Sequence, residues 1–113
     1  MKIEKIQNSA EKAADLMRSL SHEKRLMLLC QLVEGEKSVG ALATALGITQ
    51  ANASQQLALL RKDGLVQTRR EGQTIYYSLA GHEARRVIEV LYELYCEPVS
   101  PEKQTAGTGE DDE

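Results

Sequence analysis

Apolar residues recur at helical spacing over most of the first 96 positions. Ile6, Ala10, Ala13, Met17 and Leu20 form one face of a helix over about residues 4–19. Ser21 then reads as the N-cap of a second helix, about 22–35, which Gly35 helps to end. Leu26, Leu29, Cys30 and Val33 give that helix its core face. Ser38 can cap a short third helix over 39–46, with Leu42 and Leu46 turned inward. Gly47 supplies the positive φ that a tight turn requires. Thr49 caps a fourth helix, Gly64 ends it, and Ala53, Leu57 and Leu60 are its inner stripe. The period then changes to two. Residues 65–70 and 73–79 read as strands, in which Ile75, Tyr77 and Leu79 alternate with Tyr76 and Ser78, joined by a turn at Glu71-Gly72. A final helix over about 82–96 is apolar on two sides, with Val87, Leu91 and Leu94 on one and Ile88, Tyr92 and Cys96 on the other.

The order is ααααββα, mainly α with a small β-hairpin. Helix, tight turn, helix and hairpin in succession describe a winged helix-turn-helix, whose partner is the major groove of double-stranded DNA. The outer stripe of the fourth helix supports that partner. Ala51, Ser54, Gln55 and Ala58 replace the Glu and Lys usual on a solvated face, and Lys62 appears only in the last turn. Small residues let a helix sit deep in a groove, and amides and hydroxyls can hydrogen-bond base edges. Gln50, Asn52, Ser54, Gln55 and Gln56 are therefore the expected base-reading residues. Arg61, Lys62, Arg69 and Arg70 are the expected phosphate contacts. One side of the final helix suffices for its own core, so the second predicts a homodimer. A dimer of such units would read an inverted repeat.

Charge sharpens the picture. Residues 97–113 hold both prolines and carry one lysine against six acids, or −5, and read as an acidic disordered tail. Residues 1–96 carry 13 basic against 11 acidic side chains, or +2, so the overall −3 hides a mildly basic DNA-binding and dimerisation domain. No segment approaches the ~20 apolar residues of a membrane span. The N-terminus has no apolar core of a secretory signal, which predicts a cytoplasmic protein with reduced thiols. No phosphate-binding glycine loop, nucleophile–base set or HExxH is present, so neither an enzyme nor a cofactor is expected.

With SHEKRLMLLCQL at 21–32, GITQANASQQLALLRKDGLVQTRREGQTIYYSL at 47–79 and VLYELYC at 90–96, the chain resembles the ArsR/SmtB-type winged-helix repressors. The resemblance covers residues 8–96. It implies a homodimer built from first and last helices, and promoter occupancy relieved by an inducer. Many such repressors sense metals. The third-helix thiolate motif would fall near 39–46, where VGALATAL has no cysteine. The other common site would fall near 81–97, which offers His82 with Glu83, Glu89 and Glu93 scattered around the helix. Neither metal pattern is met, and no metal ligands are assigned.

The two cysteines, Cys30 and Cys96, instead match the thiol-sensing branch, which includes reactive-sulfur and oxidant sensors. By that resemblance, not by spacing, Cys30 and Cys96 come near each other in space. The implied function is a dithiol repressor whose inducer is a reactive sulfur species such as a persulfide. DNA would be released when a disulfide or polysulfide bridge joins Cys30 to Cys96. Taken singly, a cysteine on an apolar stripe such as Cys30 is more often a small core residue than a sensor. The alternatives are a metal-responsive repressor with a non-standard site, a peroxide-sensing regulator of virulence-type genes, and an interaction module that has lost DNA binding. His22 and His82 read as surface or cap residues, and Arg85-Arg86 as a solvated or dimer-edge pair.

Overall fold

The computed structural model describes residues 1–96; the predicted acidic tail lies outside them. The elements run α1 (Ile3–Gln7), α2 (Ala10–Leu20), α3 (Glu23–Val33), β1 (Lys37–Ser38), α4 (Val39–Leu46), α5 (Gln50–Lys62), β2 (Val66–Glu71), β3 (Thr74–Leu79) and α6 (Glu83–Tyr95). Helices α4 and α5 are the helix-turn-helix, and β2–β3 is the wing.

Local chemistry places the reading helix. Ser38 Oγ accepts from Ala41 N–H at 3.1 Å and Thr49 Oγ1 from Asn52 N–H at 3.0 Å, so α4 and α5 both start on the expected caps. Gly47 closes α4 at φ 68°, a left-handed conformation that a side chain would strain. Leu28, Leu29 and Leu32 of α3 pack with Leu42, Leu57 and Leu60, all essentially without solvent contact. This core fixes α5 against α3 and leaves the opposite face of α5 exposed.

Several sequence expectations are corrected. The first helix is broken at Asn8–Ser9 into α1 and α2. Ser21 does not cap α3: its hydroxyl donates back to the Arg18 carbonyl at 2.8 Å, and His22 occupies the N-cap without a side-chain cap bond. The core face of α3 is centred on Leu28, Leu29 and Leu32, while Leu26, Cys30 and Val33 are half-buried against it. The run LMLLCQLV is apolar over too wide an arc for periodicity to locate its centre. The turn is Gly72–Gln73, with φ 63° at the glycine. Finally, the sheet has three strands in the order β1-β3-β2, because Lys37 and Ser38 pair with Tyr77 and Tyr76.

Helices α1, α2 and α6 carry apolar side chains on their outer surfaces, among charged ones. Ile6 and Met17 are exposed in the single chain, as are Val90, Tyr92, Leu94 and Tyr95. Inward, α6 spends Ala84 and Ile88 on the core. Among the described residues no helix is long and apolar enough to cross a membrane.

Candidate nucleic-acid interface and thiol pair

Of the expected base-reading residues, Gln50, Ser54 and Gln55 are exposed, while Asn52 and Gln56 are half-buried on the flanks of α5. Gln50 leans back over α4: a Cβ at Gly40 would meet its Nε2 at 3.3 Å. Arg61 and Lys62 are exposed in the last turn of α5, where cations also face the negative end of the helix dipole. The free face of α5 thus offers hydroxyl and amide groups first and positive charge last.

The wing arginines differ from each other. Arg69 and Arg70 alternate across β2 and stand opposite Tyr76 and Ile75. Arg70 is exposed and has no ion-pair partner among the described residues. Arg69, in contrast, is held on three sides. Its Nε donates to Glu36 Oε2 at 2.9 Å and Nη2 to Glu36 Oε1 at 2.7 Å. Nη1 donates to Glu71 Oε1 at 2.9 Å, and the guanidinium lies 4.8 Å from the Tyr76 ring centroid. Glu36 is accordingly held below the usual carboxylate range by this pairing, and Arg69 is raised further. Sequence reading missed Glu36 because its contact depends on β1, a two-residue strand without its own pattern.

Cys30 sits half-buried on α3, and Cys96 is exposed immediately after α6. Both are free thiols. Burial pushes the Cys30 thiol up from its ordinary value, and the negative charge of a Cys96 thiolate adds to the rise. Helices α3 and α6 pack on each other, and Arg85 Nη1 donates to the Val33 carbonyl at 3.3 Å. Arg85 is therefore no solvated residue, whereas Arg86 pairs outward with Glu89 at 2.7 Å. His22 and His82 both occupy exposed N-cap positions. Among the described residues no three His, Cys, Asp or Glu side chains are arranged to hold a metal ion.

The family model for bacterial regulatory proteins of the arsR family matches residues 22–68. The transcriptional activator HlyU of Vibrio cholerae is 42% identical over 97 residues, covering 86% of this chain and 90% of HlyU. This chain belongs to the ArsR family. Solved structures agree with that placement. Reduced HlyU from Vibrio cholerae matches with a TM-score of 0.78 over 84% of this chain and 100% of its own. The transcriptional repressor BigR from Xylella fastidiosa matches at 0.82 and 44% identity, over 87% of this chain and 100% of BigR. A homodimeric winged helix-turn-helix DNA-binding domain from Mycobacterium bovis, a possible ArsR-family regulator, matches at 0.69 and 33% identity, over 83% of this chain and 86% of its own. The chain is thus a DNA-binding transcriptional regulator of winged helix-turn-helix fold, not an enzyme.

Proposed function

We propose that this ArsR-family regulator is a dithiol-switched, cytoplasmic repressor. As a homodimer it occupies an inverted-repeat operator, and it leaves when Cys30 and Cys96 become bridged. The placement of Cys30 on α3 and of Cys96 directly after α6, two helices that pack on each other, supports this reading. The inducer is a reactive sulfur species. One cysteine thiolate attacks the outer sulfur of a persulfide RSSH, forming a protein persulfide and releasing RS⁻. The second thiolate attacks the cysteine sulfur of that persulfide, forming the disulfide and expelling HS⁻. If the cysteine persulfide anion first attacks the outer sulfur of a second RSSH, it gains one sulfur and releases RS⁻, and attack of the second thiolate next to the terminal sulfur, with loss of HS⁻, then closes a polysulfide bridge.

In this reading Ser54 and Gln55 contact base edges, with Gln50, Asn52 and Gln56 on their flanks. Arg61, Lys62 and Arg70 neutralise phosphate. The dimer is supported by the exposed apolar residues of α1, α2 and α6 and by the homodimeric Mycobacterium bovis domain. Names among the relatives include both an activator and a repressor, and the repressor is the sign proposed for this chain. A bridge between α3 and α6 would shift the reading heads relative to the dimer-forming helices. Selecting duplexes from a random pool with the reduced protein, then repeating the binding after persulfide treatment, tests both halves of the proposal.

A further inference from the structure

Arg69 reaches across the sheet. It starts on β2, lies over Tyr76 of β3, and forks onto Glu36, which leads into β1. That path crosses all three strands. The strand it reaches is only Lys37–Ser38, and Val39 of α4 follows directly. Such a short edge strand has few ladder bonds to hold it. A bidentate guanidinium–carboxylate pair fixes both distance and plane, which a lysine could not do. Glu36 is in turn anchored from behind. Lys37 Nζ donates to Gln31 Oε1 at 2.7 Å and to Glu34 Oε1 at 2.8 Å, tying this connection to the last turn of α3.

We propose that Arg69 is a positioning residue that sets the wing against the helix-turn-helix through Glu36, and that Arg70 alone supplies the wing's phosphate contact. Two carboxylates surround the one guanidinium of Arg69, so the local charge presented to DNA is negative. A phosphate would have to displace Glu36 and still face Glu71. Arg70 points to the other face of β2, where among the described residues no carboxylate is paired with it.

The inference rests on DNA binding, but one arm of its test does not. Hydrogen exchange on DNA-free protein should show the wing amides of 68–75 exchanging faster in Glu36→Gln than in wild type, while those of α5 are unchanged. Unchanged wing exchange would overturn the brace whatever the protein binds. The second arm uses a duplex selected by wild type from a random pool, titrated over a range of salt. Arg70→Gln should flatten the slope of log affinity against log salt by about one unit per subunit. Arg69→Gln and Glu36→Gln should weaken binding alike at every salt concentration: the loosened wing must be re-ordered before Arg70 meets phosphate, which costs affinity but keeps the contact and therefore the slope. The swap Glu36→Arg with Arg69→Glu should recover affinity. A one-unit loss of slope in Arg69→Gln, or tighter binding in Glu36→Gln as Arg69 is released to phosphate, would overturn the assignment. Failure of wild type to select any duplex would instead count against DNA recognition itself.

Discussion

Arg85 of α6 donates to the carbonyl of Val33 at the last turn of α3, 3.3 Å away, and so joins the helix that leads to Cys96 to the helix that carries Cys30. The last four carbonyls of a helix have no partner within it, and this bond satisfies one of them. Arg85→Ala should cost ~1 kcal/mol of stability, the usual net value of such a bond. Urea unfolding of the reduced protein measures it. A loss near zero would mean that the helices are held by apolar packing alone.

Recognition and affinity should separate along α5. Gln55→Ala should lose ~1–3 kcal/mol at one base-pair position and relax selectivity there. Lys62→Ala should weaken binding to every duplex and flatten the salt slope by about one unit per subunit. Affinities on a set of single-base variants of a selected duplex, at several salt concentrations, distinguish the two. Identical profiles for both variants would remove the division of labour.

Much of this surface was legible in the sequence because helix caps and stripes are local. Ser38, Gly47 and Thr49 carry their own geometry, and the small, amide-rich face of α5 needs no tertiary information. What was not legible depends on distant partners. Ser21 has the right side chain for an N-cap, but the chain turns one residue later and its hydroxyl serves the end of α2. Arg69 and Arg70 are adjacent and chemically identical, yet strand alternation and a two-residue third strand give them opposite surroundings. Cys30 lies on the edge of an α3 stripe whose centre, at Leu28 and Leu32, only the packed core reveals.

The apolar residues left outside the single-chain core should hold the dimer. Leu94 and Tyr95 are exposed by 67% and 81% in the single chain, more than a fold-stabilising side chain would be. Leu94→Glu should place a charge in the subunit contact and shift the protein to monomer at micromolar concentration, with the helical content of the chain retained. Sedimentation equilibrium gives the answer. A variant as dimeric as wild type would move the contact away from the end of α6.

Thiol reactivity at Cys30 should depend on pH in a defined sense. Burial and the neighbouring Cys96 charge raise its pKa, so at neutral pH its thiolate fraction is below that of a free cysteine. Alkylation of Cys30 should therefore accelerate with pH through about 8.5, the ordinary thiol value, and continue to rise beyond it. Cys96→Ser should move that profile to lower pH by removing the like charge, while the burial contribution remains. Peptide mass spectrometry of pulse-alkylated protein resolves the site. A Cys30 rate already at its plateau at neutral pH would contradict the assignment.

Bridging Cys30 to Cys96 should cost the protein its operator. Intact mass and DNA affinity measured on the same persulfide-treated samples of wild type, Cys30→Ser and Cys96→Ser decide the point. All three reduced proteins should bind a selected duplex comparably. After treatment, wild type should gain an intrachain disulfide or polysulfide and lose affinity, a 100-fold loss corresponding to about 2.7 kcal/mol. Each single variant should carry at most an unbridged persulfide and keep its affinity. A Cys96→Ser protein that still releases DNA on persulfide treatment, or a bridged wild type that still binds, would contradict the two-thiol switch.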